Sequence, residues 1–184
     1  MPVNDTALVP IVVVPQPVAS DSINLLFTFD LMTDGTNRAI VNNVTFNNPL
    51  VPTILSELTL GPNATVQSAY GPSSFVLNHL EVFDLVIQNA DTGGHPLYVF
   101  FLFVLLRKLN AKKTLFSHLH GHKFQIVGRS LNFSSSDPAL NPPIVEGQAN
   151  PMRRDTIFIP SGQSVTLRVV ADNPGTWFLH CQSI

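Results

Sequence analysis

Short stretches of apolar residues, or of alternating apolar and polar residues, recur along the chain and predict β-strands. They occupy residues 23–30, 39–46, 80–89, 123–128, 155–159 and 165–171. Turn-forming residues stand between them, as in the polar turn Thr33-Asp34-Gly35 after the first stretch. Many short strands joined by such turns predict an all-β fold, an antiparallel sandwich or barrel with little helix.

Two segments depart from this pattern. Residues 134–151 are rich in proline and predict a long loop. Residues 97–117 begin with ten apolar residues and continue into a basic run. The apolar run is too short for a membrane span, which takes about 20 residues.

Composition and charge narrow the class of protein. The 184 residues are 45% hydrophobic and 12% charged, which is enough apolar material for a buried core. Four of the ten basic residues lie within 107–113, so the rest of the chain carries six basic against twelve acidic residues. This acidic remainder argues against nucleic acid and anionic membrane surfaces as partners.

Cysteine content and glycosylation motifs bear on the cellular compartment. The single cysteine, Cys181, excludes an internal disulfide. Four Asn-x-Ser/Thr triplets begin at Asn4, Asn43, Asn63 and Asn132 and favour a secreted parent protein. The first residues do not have the pattern of a signal peptide, so we expect the start of a secreted parent to be missing here.

Histidines and the cysteine are the candidate metal ligands. His118, His120 and His122 stand at every second position, which places them on one face if the segment is a strand. A row of surface histidines is the alternative. His180 and Cys181 are adjacent and would point to opposite faces of a strand. Taken alone, Cys181 is more typical of a small buried hydrophobic residue than of a ligand.

Three motifs in one order carry a family resemblance: HLHGHKF at 118–124, NPMRRDT at 150–156 and DNPGTWFLHC at 172–181. With them the chain, outside 97–117, resembles the C-terminal domain of multicopper oxidases, the family of laccases and ferroxidases. The resemblance implies a cupredoxin-like Greek-key β-sandwich. It also implies type 1, type 2 and type 3 coppers that relay electrons from a reducing substrate to dioxygen.

The resemblance assigns copper ligands by position. It implies His95 and Cys181 at the type 1 copper, which suits a soft thiolate with imidazoles. It implies His118 at the type 2 copper, and His120 and His180 at type 3 coppers. His122 receives no copper, and we interpret it as structural.

Two departures from the family pattern stand out. Twenty-one residues, 97–117, separate His95-Pro96 from His118, where the family has one. After Cys181 the chain reads Gln182-Ser183-Ile184 instead of continuing with the family's further histidines. Both departures fit unspliced introns, because codons for 97–99 can contain an intron start and codons for 116–117 an intron end. A genuine inserted loop and a natural end are the alternative.

We therefore expect residues 1–22 to be a lead-in segment and 23–184 one cupredoxin-like domain, inactive alone without the family's N-terminal copper domains. In the family that the chain resembles, an acidic residue four positions before the type 1 histidine is associated with Fe(II) oxidation. Asp91, four positions before His95, is therefore the candidate Fe(II) ligand, and the resemblance favours a ferroxidase parent at the cell surface or outside the cell. Two alternatives remain open: a laccase-type parent that oxidises phenols, and a non-catalytic β-sandwich that binds a metal through histidines.

Overall fold

The computed structural model describes residues 7–45, 50–52, 55, 58–59, 74–91, 116–175, 177 and 179–182, with the backbone alone for 116–118 and 181–182. Ten strands account for most of the regular structure in these ranges. They are β1 Asp21–Leu31, β2 Asn37–Val41, β3 Val44–Thr45, β4 Val82–Asn89, β5 Phe116–Leu119, β6 Phe124–Ser130, β7 Arg153–Arg154, β8 Thr156–Phe158, β9 Ser164–Val170 and β10 Leu179–Gln182.

The strands form two sheets, which agrees with the predicted all-β class. The larger sheet has the order β3-β2-β1-β4-β9-β6-β7, and the smaller has the order β10-β5-β8. The prediction of a purely antiparallel arrangement is wrong at one place, because β1 and β4 run parallel. Parallel neighbours need a long crossover, and the chain from 32 to 81 between them supplies it.

The predicted strand at 39–46 is in fact a hairpin. Asn42 and Asn43 have positive φ angles of 49° and 65°, which turn β2 back into β3. Two residues in this left-handed conformation make the tight hairpin turn for which asparagine is well suited. The Asn42 amide also bonds to β1, accepting from the Leu26 N–H at 2.9 Å and donating to the Asn24 carbonyl at 2.8 Å.

A single apolar core connects the sheets. Alternate residues of the strands point into it, as the period-two patterns predicted. Its members on the larger sheet include Phe27, Leu85, Phe124 and Leu167, and Leu179 joins it from the smaller sheet. The core therefore fixes the small sheet, which carries the candidate ligands, against the large one.

Residues 10–17, which precede β1 and which we call the arm, lie along the domain. Gln16 and Gln148 bond to each other twice. The Gln16 N–H donates to the Gln148 carbonyl at 3.0 Å, and the Gln148 N–H donates to Gln16 Oε1 at 2.8 Å. Asn150 accepts from the Val14 N–H at 3.1 Å, and Arg153 donates to the Val12 carbonyl at 2.6 Å. The proline-rich loop is therefore the surface on which the arm rests.

The predictions for His95 and for residues 97–115 lie outside the described residues. Phe116 and Ser117, the last two residues of the predicted insertion, belong to β5. In the described part of the chain, no helix has the length and apolar character that crossing a membrane would take.

Candidate metal centre

The small sheet sets the register of the candidate ligands. β5 and β10 pair antiparallel, so that His118 lies opposite His180 and Ser117 opposite Cys181. Thr156 of β8 lies on the other side of His118. Two segments that are 60 residues apart in sequence are therefore aligned residue by residue. The backbones of His118 and His180 therefore lie opposite each other, and Cys181 occupies the next position of β10.

Among the candidate ligands whose side chains the structure describes, His120 and His180 are in direct contact. Their Nε2 atoms are 2.7 Å apart, and their ring centroids are 4.8 Å apart with the rings tilted by 51°. Both residues are partly buried. At this distance the two imidazoles can share a proton, or both Nε2 atoms can turn to one small site. Imidazole nitrogen is a donor that copper binds well, so the pair fits the implied metal.

The described side chains alone do not complete a metal cluster. Within them, no group of three or more His, Cys, Asp and Glu residues is close enough to hold an ion. The ligands that the resemblance implies beyond His120 and His180 are His95, which is not described, and His118 and Cys181, which are described by their backbone.

Trp177 and Asn173 contact Gly121 in the turn that carries His120, and we call this set of three residues the brace. The Trp177 ring lies against Gly121, whose φ is +70°, and its Nε1–H donates to the Asn173 carbonyl at 2.7 Å. The Asn173 amide in turn donates to the Gly121 carbonyl at 3.0 Å. Sequence reasoning missed this brace. The turn-forming run Asp172-Asn173-Pro174-Gly175 was its only signal.

His122 contacts the same tryptophan and the same turn, as we expect of a structural residue. Its ring meets the Trp177 ring edge to face, with centroids 5.9 Å apart and an interplanar angle of 86°. Its Nδ1 lies 3.2 Å from the His120 carbonyl, at which an Nδ1–H would donate. The structural role of His122 remains a prediction.

An open cleft of about 760 Å³ runs beside the histidine pair. The arm contributes one wall through Val14, Pro15 and Pro17, and His120 and His122 line another part. Gln125 and Arg153 line it too, and both hold the arm by its carbonyls. Among the described residues, Gln125 Oε1 and Arg153 Nη1 are buried and have no hydrogen-bond partner. Two residues that line the cleft therefore carry buried polar atoms without a partner in the described part of the chain.

Arg168, which lines the same cleft, is the centre of an ion cluster. Arg168 is 3% exposed and forms two 2.8 Å hydrogen bonds with the Asp84 carboxylate. It also donates to both oxygens of Glu146, at 2.6 and 2.8 Å, and to the Pro17 carbonyl. These hydrogen bonds raise the pKa of Arg168 and lower the pKa of Glu146. The arginine therefore stays charged and joins sheet, loop and arm.

Asp91 lies directly after β4 and does not line the cleft. It is 8% exposed, and its backbone N–H donates to Asn89 Oδ1 at 3.0 Å. The Ser161 hydroxyl donates to its carbonyl. Within the described part of the chain, its Oδ2 is buried without a hydrogen-bond partner. The backbone is thus fixed, while one carboxylate oxygen is left with unused binding capacity.

Comparison with known sequences identifies the relatives. Residues 109–183 match a family model described as multicopper oxidase. The iron multicopper oxidase fer1 of Mycosarcoma maydis is 40% identical over 181 residues, covering 97% of this chain. The iron transport multicopper oxidase FET3 of Saccharomyces cerevisiae is 34% identical over 162 residues. The chain spans 25% of the length of the first relative and 22% of the second.

Solved structures give the same answer. The crystal structure of Fet3p, described as a multicopper oxidase that functions in iron import, matches 97% of this chain with a TM-score of 0.73 and 28% identity. The chain covers 32% of that structure. A laccase from Botrytis aclada matches 96% of the chain with a TM-score of 0.63 and 22% identity, covering 28% of the laccase, which supports the cupredoxin-like fold. The chain belongs to the multicopper oxidase family.

Proposed function

We propose that this chain supplies one copper-binding domain of an oxidase that couples one-electron oxidation of Fe(II) to the reduction of dioxygen to water. The observation that carries the proposal is the His120 and His180 pair, with Nε2 atoms 2.7 Å apart. It occurs in a chain 40% identical to an iron multicopper oxidase. Bound copper would supply the electron transfer between the reducing substrate and dioxygen.

The chain's own residues would hold that copper in two ways. His120 and His180, with His118 beside them in the register of β5 and β10, form the imidazole side of the centre. Cys181 follows His180 on β10, and adjacent positions of a strand belong to opposite faces of a sheet. Together with His95 it would form the type 1 site, and the covalent bonds between Cys181 and His180 would provide a short electron path.

Asp91 is the proposed contact for Fe(II). An isolated buried carboxylate oxygen is unfavourable unless a cation or donor satisfies it, and Asp91 Oδ2 has no such partner among the described residues. Hard oxygen ligands suit iron, and a carboxylate stabilises the Fe(III) product more than Fe(II) because the charge is higher. Asp91 would therefore both bind the substrate and favour its oxidation.

A segment exchange tests this function. Residues 7–181 of this chain, with 97–117 reduced to one Phe, replace the corresponding segment of fer1, so that the sequence of fer1 itself follows Cys181. Consumption of dioxygen is then measured with Fe(II) and with a phenol. We expect Fe(II) oxidation, and we expect Asp91→Asn to raise KM for Fe(II) while phenol oxidation stays unchanged. Asp137→Asn, at an exposed loop aspartate, is the control and should change neither activity.

Each alternative has its own outcome in this experiment. Oxidation of the phenol without Fe(II) oxidation would favour a laccase-type parent. Copper binding that depends on His120 and His180, with neither substrate oxidised, would favour a non-catalytic metal-binding sandwich. Absence of copper binding in the folded chain would overturn the proposal as a whole.

A secreted or cell-surface location and N-glycosylation are part of the same proposal. Asn43 stands exposed at the tip of the β2–β3 hairpin, whereas Asn132 uses its side chain to accept from the Ser134 N–H at 3.1 Å. Asn43 is therefore the better acceptor of the two. On secretion from a yeast host, Thr45→Ala should remove a glycan that an endoglycosidase also removes, and Ser134→Ala should have the smaller effect. Secreted wild-type chain without a glycan at Asn43 would contradict this assignment.

A further inference from the structure

Trp177 makes the contacts that fix the turn after β5. This turn sets where the His120 ring can reach, because His120 is the first residue beyond the strand. Gly121 has a φ of +70°, and a Cβ built there would lie 2.5 Å from Cε3 and 2.7 Å from Cε2 of Trp177. The indole ring therefore lies directly on the backbone of the turn. There is no room between ring and turn for the turn to shift toward the ring.

Two hydrogen bonds through Asn173 also connect Trp177 to Gly121. Trp177 Nε1 donates to the Asn173 carbonyl, and Asn173 Nδ2 donates to the Gly121 carbonyl. His122 adds the edge-to-face contact with the indole and approaches the His120 carbonyl with its Nδ1. The backbone on both sides of Gly121 is thus held from the loop at 172–177, which leads directly into β10 and His180.

We propose that Trp177 is a positioning residue, which holds the His120 turn in register with His180 so that the two Nε2 atoms converge before a metal binds. This inference rests on the proposed copper function and deepens it. Among the described residues, Trp177 is connected to Gly121, Asn173 and His122. Its effect passes through Gly121 and Asn173 to the backbone of His120, as that of a residue that orients a ligand from outside the coordination sphere.

The chain offers a direct reporter for this proposal. Trp177 is its single tryptophan, so all indole fluorescence comes from the brace itself. Bound Cu(II) quenches a nearby indole efficiently because it is paramagnetic and accepts excitation energy. Titration of the full chain with Cu(II) alone should therefore quench its fluorescence, and His120→Ala or His180→Ala should greatly reduce the quenching.

Variants separate the positioning role from simple stability. Trp177→Ala removes ring and donor, and we expect Cu(II) affinity measured by calorimetry to fall by about 10- to 100-fold, the usual range for outer-shell partners of metal-binding histidines. Trp177→Phe keeps a ring against Gly121 and should restore most of the affinity. Asn173→Ala keeps the indole and removes the link to Gly121, so its affinity should fall between these two. Phe133→Ala is the matched control, a half-buried aromatic residue that lines a separate cavity, and it should bind Cu(II) as the wild type does.

The outcomes distinguish the brace from the copper site. Failure of the wild-type chain to bind Cu(II) through His120 and His180 would overturn the proposed function. Histidine-dependent binding that is equally tight in Trp177→Ala and the wild type would overturn the positioning role alone. If Trp177→Ala does not fold, Asn173→Ala decides the question. Unchanged affinity and an unchanged Cu(II) electron paramagnetic resonance spectrum in that variant would refute the positioning role.

Discussion

Gly121 and Gly147 adopt nearly the same backbone conformation in different surroundings. Their φ angles are +70° and +69°. A side chain at Gly121 would overlap Trp177, whereas nothing lies within 4 Å of a Cβ at Gly147. The cost of a side chain in the left-handed conformation is therefore common to both positions. The cost of lost space belongs to Gly121 alone.

This pair makes a prediction about stability. Gly147→Ala should destabilise the fold by about 1 kcal/mol, the cost of placing an L-residue in the left-handed region. Gly121→Ala should lose about 1–3 kcal/mol more, because the new methyl group must displace the indole ring. Urea unfolding of both variants measures the difference. Combination of Gly121→Ala with Trp177→Ala should recover part of it, and equal losses in the two single variants would contradict the close contact.

The candidate ligands could be predicted from the sequence, but the contacts that hold them in place could not. The alternation of His118, His120 and His122 and the family motifs predicted the histidine side of the site, and the structure brings His120 and His180 together. The contact of Trp177 with Gly121 could not be predicted. It joins positions 56 residues apart, and it depends on the exact path of two loops that no local pattern specifies.

At the scale of elements, Arg168 joins parts of the fold that are distant in sequence. It lies on β9, Asp84 lies on the neighbouring β4, Glu146 is in the proline-rich loop and Pro17 is in the arm. Arg168 and Asp84 are almost completely buried, while the Glu146 side chain is 63% exposed. The buried pair is therefore expected to govern stability, and Glu146 to govern attachment of the loop and the arm.

Substitutions should separate these two contributions. Arg168→Met leaves Asp84 buried and unpaired, which typically costs about 3–5 kcal/mol. Arg168→Met with Asp84→Leu removes both charges and should recover most of that loss in chemical unfolding. Glu146→Gln should leave global stability nearly unchanged but increase amide hydrogen exchange in residues 10–17. A loss in Arg168→Met that the double variant does not recover would argue against an unpaired charge as its cause.

The Glu146 contact also has a pH dependence. Its pKa is lowered in the folded chain by the hydrogen bond to Arg168, from an ordinary value of 4.5. A lowered folded pKa means that the stabilisation is complete above the unfolded value and is lost as the pH falls through the folded value. The protection factors of the arm amides, which correct for the intrinsic pH dependence of exchange, should therefore fall on acidification below pH 4.5, and Glu146→Gln should show less of this change.

The strand pattern was largely predictable, and its exceptions have local or topological causes. The six predicted strands correspond to observed ones, but Asn42 and Asn43 divide the second into β2 and β3. Polar residues inside an apolar run were compatible with either a strand or a hairpin, and only the positive φ angles decide. The parallel pairing of β1 with β4 depends on the route of a long connection, on which alternation carries no information.

At the scale of the whole molecule, the segment 97–117 is the largest departure from the family pattern. It begins with an apolar run of ten residues, and the core of the described residues is assembled from strands on either side of this run. β5 begins at Phe116 and pairs with both β8 and β10. The small sheet therefore needs only a short apolar lead into His118, which one residue after Pro96 could supply.

Replacement of residues 97–117 by a single Phe should raise the thermal unfolding midpoint and reduce aggregation, because we expect the apolar run to lie outside the core, where it would promote self-association. The control is deletion of the same residues without the Phe. It places Pro96 directly before His118, where proline supplies no backbone N–H to the pairing with β8 and β10. It also makes the connection before His118 one residue shorter than in the Phe variant. A one-residue change of register turns side chains to the opposite face of a sheet, so this control should be less stable than the Phe variant and should bind Cu(II) more weakly. A lower midpoint in the Phe variant than in the full chain would instead identify 97–117 as a native structural element.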